Sequence, residues 1–195
     1  MFATFELNHE KLGAEPRFAE LAGELSALSP IDSPGTFNRY CREACRLWNE
    51  QLAGEAAETS ANFAGLLERL DQGGDDVIAT GWGGVVIAVH EHPRVQKYLV
   101  VRQGGYLALE MHEQKDERLD VKEGAGLVLW RAAADPGLIV EALAPGSRFH
   151  FHPGIEHCLI GTENLLVLER SIDPKGMDQD LIFIYQPALE AANAR

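Results

Sequence analysis

LALEMHEQKDERLDVKEG, residues 107–124, reads as two short strands joined by a polar turn. Successive side chains of a strand point to opposite faces, so residues two apart share one. Counting from the preceding tyrosine, Tyr106, Ala108, Glu110 and His112 fall together, with Leu107, Leu109 and Met111 opposite. On the second strand Glu117, Leu119 and Val121 share a face, and Arg118, Asp120 and Lys122 form the other. Three consecutive outward charges must reach water, which sends Glu117 inward beside two apolar residues. An isolated carboxylate there is costly. A cation held jointly with Glu110 and His112 would satisfy it. So would direct pairing of Glu110 and Glu117 with Lys115 or an arginine, in a barrel that binds no metal.

The surrounding chain supports the strand reading. From about Asp76 onward, short β-rich runs such as VIATGW, GVVIAVHE, KYLVVRQ, GLVLWRA, LIVEALA, HCLIGT and NLLVLERS alternate with turn residues. That spacing predicts a sandwich or barrel. Before Gly73 the periodicity is helical. PRFAELAGELSAL starts after a proline suited to a first turn, and Phe37, Tyr40, Cys41, Ala44, Leu47 and Trp48 form one apolar stripe ending near Gly54. A third helix carries Phe63, Leu66, Leu67 and Leu70. The turn DQGGDD is too short to act as a flexible tether. The expected organisation is a helical section over residues 1–75, packed on a β-barrel over 76–188, with a tail over 189–195.

The chain has 195 residues, 46% apolar and 24% charged, the mix of a soluble globular domain. Its net charge of −13 argues against nucleic-acid or anionic-membrane partners, whose phosphates are met mainly by Lys and Arg. The N-terminus does not resemble a signal peptide, and no apolar run is long enough to cross a bilayer. Cys41, Cys45 and Cys158 lack the paired spacing of a Cys-rich zinc site and read as buried thiols, which suits a cytoplasmic location.

A second constellation lies downstream. Gly146, His152, Gly154 and His157 follow Glu110-x-His112-x4-Glu117-x6-Gly124 in the order Gly-x5-His-x-Gly-x2-His. Together the two resemble the paired motifs of the cupin superfamily. Departures are Glu110 where cupins usually carry His, His152 at the proline position and Gly161 at the asparagine position. KYLVVRQGGYLALEMHEQKDE is similar to the C-terminal domain of type II phosphomannose isomerases, as is the Trp-Gly of GWGG at 81–84. Lys115-Asp116-Glu117 resembles a Lys-x-Glu step of the zinc phosphomannose isomerases, and D-lyxose isomerases are further sugar-handling relatives. The resemblance covers roughly residues 80–185.

The resemblance implies a mainly β, cupin-type double-stranded β-helix with a helical N-terminal section. It also implies a metal held by Glu110, His112, Glu117 and His157. Two imidazoles and two carboxylates suit a divalent transition ion, Zn, Fe, Mn, Ni or Co. The activity implied is an aldose–ketose isomerisation of a sugar or sugar phosphate, with Lys115 assisting proton transfer. His150, His152 and Arg148 would then contact substrate at the mouth of the site, with Arg131 and Lys97 as further anion contacts if it is phosphorylated; the histidines also read as plain polar lining, and the three cations as surface charges. An Fe(II)-dependent dioxygenase and a non-catalytic sugar-binding barrel remain alternatives, and pairing of barrel edges implies a homodimer. His90-x-His92 has ligand-like spacing but sits in a turn with no following Glu, and is set aside. SIDPKGMDQD reads as a solvated loop.

Overall fold

The computed structural model describes residues 3–52, 59–131 and 137–188. The chain opens with strand β1 (Leu7–Asn8) and helices α1 (Glu10–Gly13), α2 (Ala19–Ser26), α3 (Pro34–Leu52) and α4 (Ala61–Gln72). The strands that follow are β2 (Val77–Thr80), β3 (Gly83–Glu91), β4 (Arg94–Val101), β5 (Leu109–His112), β6 (Asp116–Glu123) and β7 (Gly126–Trp130). Then come β8 (Leu138–Leu143), β9 (Arg148–Phe151), β10 (His157–Gly161), β11 (Leu165–Ile172) and β12 (Leu181–Tyr185).

Local chemistry sets the helix starts. Ser33 and Thr36 cap α3 reciprocally, each side-chain oxygen accepting the other's backbone N–H, and Pro34 occupies the first helical position. Ser60 Oγ accepts from Phe63 N at the start of α4, while Ser60 N donates to Glu123 Oε2 at 3.0 Å, which pins the helix to β6.

Two six-stranded sheets form, in the orders β1-β8-β7-β10-β5-β12 and β2-β3-β4-β11-β6-β9. The eight consecutive strands β4 to β11 pass back and forth between them, save for the hairpin β7-β8, which stays in one sheet. Counted within that set, one sheet runs first-eighth-third-sixth and the other second-seventh-fourth-fifth. This is a double-stranded β-helix, the cupin-type jelly roll implied above.

Alternation sorts the side chains into layers. Between the sheets lie Leu99, Val101, Leu119, Val121, Val128, Leu159 and Val167. Their neighbours Leu127, Leu129, Cys158 and Ile160 turn outward onto the predicted α3 stripe of Phe37, Tyr40, Cys41, Ala44, Leu47 and Trp48. On the other sheet Val86, Val100 and Leu166 meet Phe63 and Leu70 of α4. The helices therefore cover both outer faces of the barrel, each buried large side chain contributing about 1.5–3 kcal/mol.

Two expectations need adjusting. The first segment is not helical alone, because β1 pairs in parallel with β8, Leu7 opposite Leu138. The strand expected to begin at Tyr106 begins at Leu109. Its phase breaks at Ala108, so Tyr106 faces the helices and Leu107 faces the barrel interior. The expected tail at 189–195, and Gly54 as a helix stop, lie outside the described residues.

Candidate metal centre

Sheet register gathers the site. Antiparallel pairing sets His157 of β10 opposite Glu110 of β5. It sets Glu169 of β11 between Lys97 of β4 and Leu119 of β6. With His112, Lys115, Glu117 and Asp178, these residues line a cavity of about 220 Å³. The rest of its wall is largely apolar, including Trp82, Leu99, Leu107, Leu159, Leu181 and Phe183.

Lys115 is the hub. Its Nζ lies 2.6 Å from Glu117 Oε2, 2.7 Å from Glu169 Oε1 and 2.8 Å from Asp178 Oδ1, with only 2% of the residue exposed. Burial alone would lower its proton affinity, but the three carboxylates outweigh that and hold it well above the usual lysine range. Contact with three carboxylates thus favours the ammonium form of Lys115. Lys97 reaches the far side of the same group, 3.3 Å from Glu169 Oε2 and bonded to Asp178 Oδ2.

Both imidazoles are preset. His112 Nδ1 is 2.8 Å from Asp180 Oδ1, and Asp180 Oδ2 already accepts the backbone N–H groups of Gln114 and Lys115. A carboxylate so engaged acts as acceptor, so His112 Nδ1 donates and its Nε2 lone pair faces the cavity. Burial first, and then Lys115, keep this ring below the ordinary histidine range. His157 Nδ1 donates to Ile155 O at 3.1 Å, which likewise turns Nε2 inward. There it stands 2.7 Å from Glu117 Oε1. That oxygen is buried without a well-aligned hydrogen bond.

Two electron-rich atoms at that distance need a shared cation, either a proton or a metal. With no metal bound the proton wins: burial would lower His157, but Glu117 raises it overall. Burial would raise Glu117, but Lys115 and His157 hold it well below the usual carboxylate range. Glu110 differs, because burial pushes it up to about 7 against the pull of His157.

The donor set fits a metal. Nε2 of His112, Nε2 of His157, Glu117 Oε1 and the adjacent Glu110 all border one cavity, and an ion would take the place of the proton shared by His157 and Glu117, the arrangement a transition ion uses. Lys115 holds only the other oxygen, Oε2, so its ion pairs do not consume the whole carboxylate. His112 Nε2 stands further off, 3.9 Å from Glu117 Oε2 and 3.3 Å from Lys115 Nζ.

The four expected ligands and Lys115 thus line one cavity, but the three expected substrate contacts do not. On β9, Phe149 and Phe151 turn inward, and Phe151 stacks on His157 with ring centroids 4.4 Å apart. Alternation then puts Arg148, His150 and His152 on the outer face, where Arg148 pairs with Asp120 and both histidines bond Asp116. Arg131 pairs with Glu156, also away from the cavity, whereas Lys97 does line it.

Three participants escaped the sequence reading. Glu169 follows Leu165 and Val167 in strict alternation, a signal sufficient to turn it inward. Asp178 and Asp180 come from the segment read as a solvated loop and have no such signal. Met177 and Asp178 have φ of 47° and 61° after Gly176 at 79°, three consecutive left-handed residues that deliver Asp178 to Lys115 and Lys97. Such backbone is costly for non-glycine residues and concentrates at functional sites.

No family model matches the sequence, and no curated protein matches it. Solved structures are similar in fold. The capsular polysaccharide assembling protein CapF from Staphylococcus aureus aligns at 16% identity and TM-score 0.49, over 56% of this chain and 34% of that one. An oxalate decarboxylase from Lactobacillus farciminis aligns at 18% identity and TM-score 0.47, over 55% and 32%. A double-stranded β-helix protein from Klebsiella pneumoniae aligns at 14% identity and TM-score 0.43, over 66% and 97%. The chain spans about a third of the length of the first two. Among the described residues no helix is long and apolar enough to cross a membrane.

Proposed function

We propose that the protein is a metal-dependent cupin enzyme that isomerises a small hydroxy-carbonyl compound of the sugar class. The carrying observation is the pair of preset imidazoles, His112 and His157, whose Nε2 atoms face a cavity shared with Glu117 Oε1. His112, Glu117 and His157 would hold the ion, with Glu110 beside it on the cavity wall. A divalent ion bound there polarises a carbonyl or hydroxyl oxygen as a Lewis acid.

The chain's own groups divide the remaining work. Lys115, as an ammonium engaged by three carboxylates, orients Glu117 and balances the negative charge around the cavity. It does not serve as a base. Glu110 borders the same cavity, where burial raises its proton affinity, and would move the proton between adjacent carbons. Among the described residues that line the cavity there is no arginine, and both lysines are committed to carboxylates. An uncharged substrate is thus favoured over a sugar phosphate. A homodimer belongs to the same proposal.

The apolar wall favours a second reading, Fe(II)-dependent dioxygenation, since two histidines and a carboxylate with open positions suit that chemistry. One experiment addresses both. Tag-free protein is assayed for bound metal, then loaded with Mn, Zn, Co, Ni or Fe(II). Loaded protein is incubated with free aldoses and ketoses in deuterated water. Deuterium at the carbon beside the carbonyl, abolished in Glu117→Ala, supports isomerisation, and metal-dependent oxygen uptake supports the second reading. Absence of stoichiometric metal after loading, or full activity in Glu117→Ala, overturns the proposal.

A further inference from the structure

The outer face of the second sheet carries another constellation, independent of the cavity. Antiparallel pairing of β6 with β9 sets Glu117 opposite Phe151 and Arg118 opposite His150. The same register brings Asp116, one residue before Glu117, beside His152. Because Glu117 and Phe151 turn inward, Asp116, His150 and His152 all project outward. Asp116 Oδ1 is 2.8 Å from His150 Nε2, and Oδ2 is 2.9 Å from His152 Nδ1. The two rings lie with centroids 4.0 Å apart. One ligand atom from each of the three residues lies within 4.8 Å of the others.

We propose that Asp116, His150 and His152 form a surface site for a divalent transition ion of the zinc, nickel or cobalt kind. Ligand atoms bound at 2.0–2.1 Å to one such ion stand roughly 2.9–3.3 Å apart along an edge of the coordination shell. The separations from Asp116 to each imidazole already approach that edge length, so little rearrangement is needed. Two imidazoles and one carboxylate are borderline donors that favour these metals over magnesium or calcium. The side chain of His152 is 64% exposed and that of His150 36%, which leaves room for water or a ligand from another molecule to complete the shell.

Local charge is compatible. On the same face Arg148 and Arg170 are both drawn to Asp120, so their charge is already answered. Arg118, opposite His150, is the nearest opposing charge by register and has a long stem that can swing away. The site would make the barrel a two-metal protein, one ion inside and one outside, with separate ligands. Failure of either leaves the other standing.

The test is zinc calorimetry on tag-free, full-length protein, together with His150→Gln, His152→Gln and Asp116→Asn variants. All three positions are partly or fully exposed, and thermal unfolding verifies that each variant folds. Ring-nitrogen NMR of the histidines assigns the binding residues directly. The expected result is a zinc event in wild type, separate from any at the cavity, that shifts the His150 and His152 ring signals. Each single substitution should weaken this event by at least roughly tenfold, the lower bound seen even for loss of a supporting partner. Zinc that shifts only the His112 and His157 rings, variants that bind zinc as tightly as wild type, or no zinc binding at all overturns the site.

Discussion

Replacing Lys115 by Met retains length and most of the volume and removes one buried charge. The ammonium now sits 2.6–2.8 Å from three carboxylates. At an effective dielectric constant near 20, each such contact is worth about 6 kcal/mol before desolvation is charged against it. After desolvation, breaking a buried pair costs about 3–5 kcal/mol. Glu169 and Asp178 keep Lys97, and Glu117 keeps His157, which places the expected loss at about 3–4 kcal/mol. With a urea slope of about 2 kcal/mol per molar, the unfolding midpoint at pH 7.5 should fall by roughly 1.5–2 M.

The pH dependence of that loss is a second signature. Glu117 is held well below its usual range in the fold, partly by Lys115. The stability this contributes is present above the unfolded carboxylate value of about 4.3 and disappears as pH falls through the folded value. The gap between wild type and Lys115→Met is therefore widest near neutrality and narrows below about pH 4.5. In the variant, a divalent ion supplied at about a hundred times its dissociation constant should restore close to 2.7 kcal/mol. An exposed loop lysine would cost no more than about 0.5 kcal/mol. A measured loss below about 1 kcal/mol at pH 7.5 refutes the reasoning from the buried ammonium.

Three further outcomes follow from the same physics. His9 is buried against Tyr40 Oη at 2.9 Å, and burial lowers it to about 4. The folded state thus binds fewer protons than the unfolded between about pH 6.5 and 4, so stability falls with pH across that window by up to about 3 kcal/mol. Urea curves at pH 7.5 and 4.5 should show this slope in wild type and lose it in His9→Gln. In Asp180→Asn the one oxygen is claimed by the Gln114 and Lys115 N–H groups and the NH2 is turned toward His112 Nδ1, so cavity metal affinity measured by calorimetry should drop about 10–100-fold while the fold survives. Gly124→Ala should destabilise by more than about 2 kcal/mol, because φ is +80° and a Cβ would lie 1.8 Å from Asn164 O. Gly154→Ala, at φ +83° in open space, should cost only about 1 kcal/mol in thermal unfolding.

Much of this site was legible in the sequence, because period-two alternation is a local property. It placed Glu117 inward and Arg118, Asp120 and Lys122 outward, as they lie. On RFHFH the period was equally clear but the phase was not. Inward histidines fit an expected polar site, yet Phe149 and Phe151 took the interior because burying two aromatic rings outweighs burying two imidazoles that water can solvate. The phase break at Ala108 had no signal either, since it arises where the chain crosses from β4 in one sheet to β5 in the other. Strand β1 is two residues long and pairs with a partner about 130 residues away, a contact no local pattern encodes. The burial of Lys115 depends on Glu169, Asp178 and Asp180, all remote in sequence, so HEQKDE alone reads as an ordinary polar turn.

The charge cluster is poorly explained as a stabilising device. Apolar residues of similar volume commonly match or exceed a buried ion pair in stability, because the pair must first be stripped of water. Here the chain buries Lys97, Lys115, Glu117 and Glu169 against walls of leucine and valine that would pack well without them. It further bends Met177 and Asp178 into left-handed backbone, at about 1–3 kcal/mol each, to complete the group. Such costs are rational only where the charges act on something entering the cavity. Relieving them offers a direct check. Converting Lys97, Lys115, Glu117, Glu169 and Asp178 together to Met, Met, Gln, Gln and Asn should leave stability within a few kcal/mol of wild type, since no lone charge remains. Both metal loading at the cavity and turnover should vanish. If the five-site variant instead unfolds while every single substitution is mild, the cluster is a structural core and the cavity is not where the chemistry occurs.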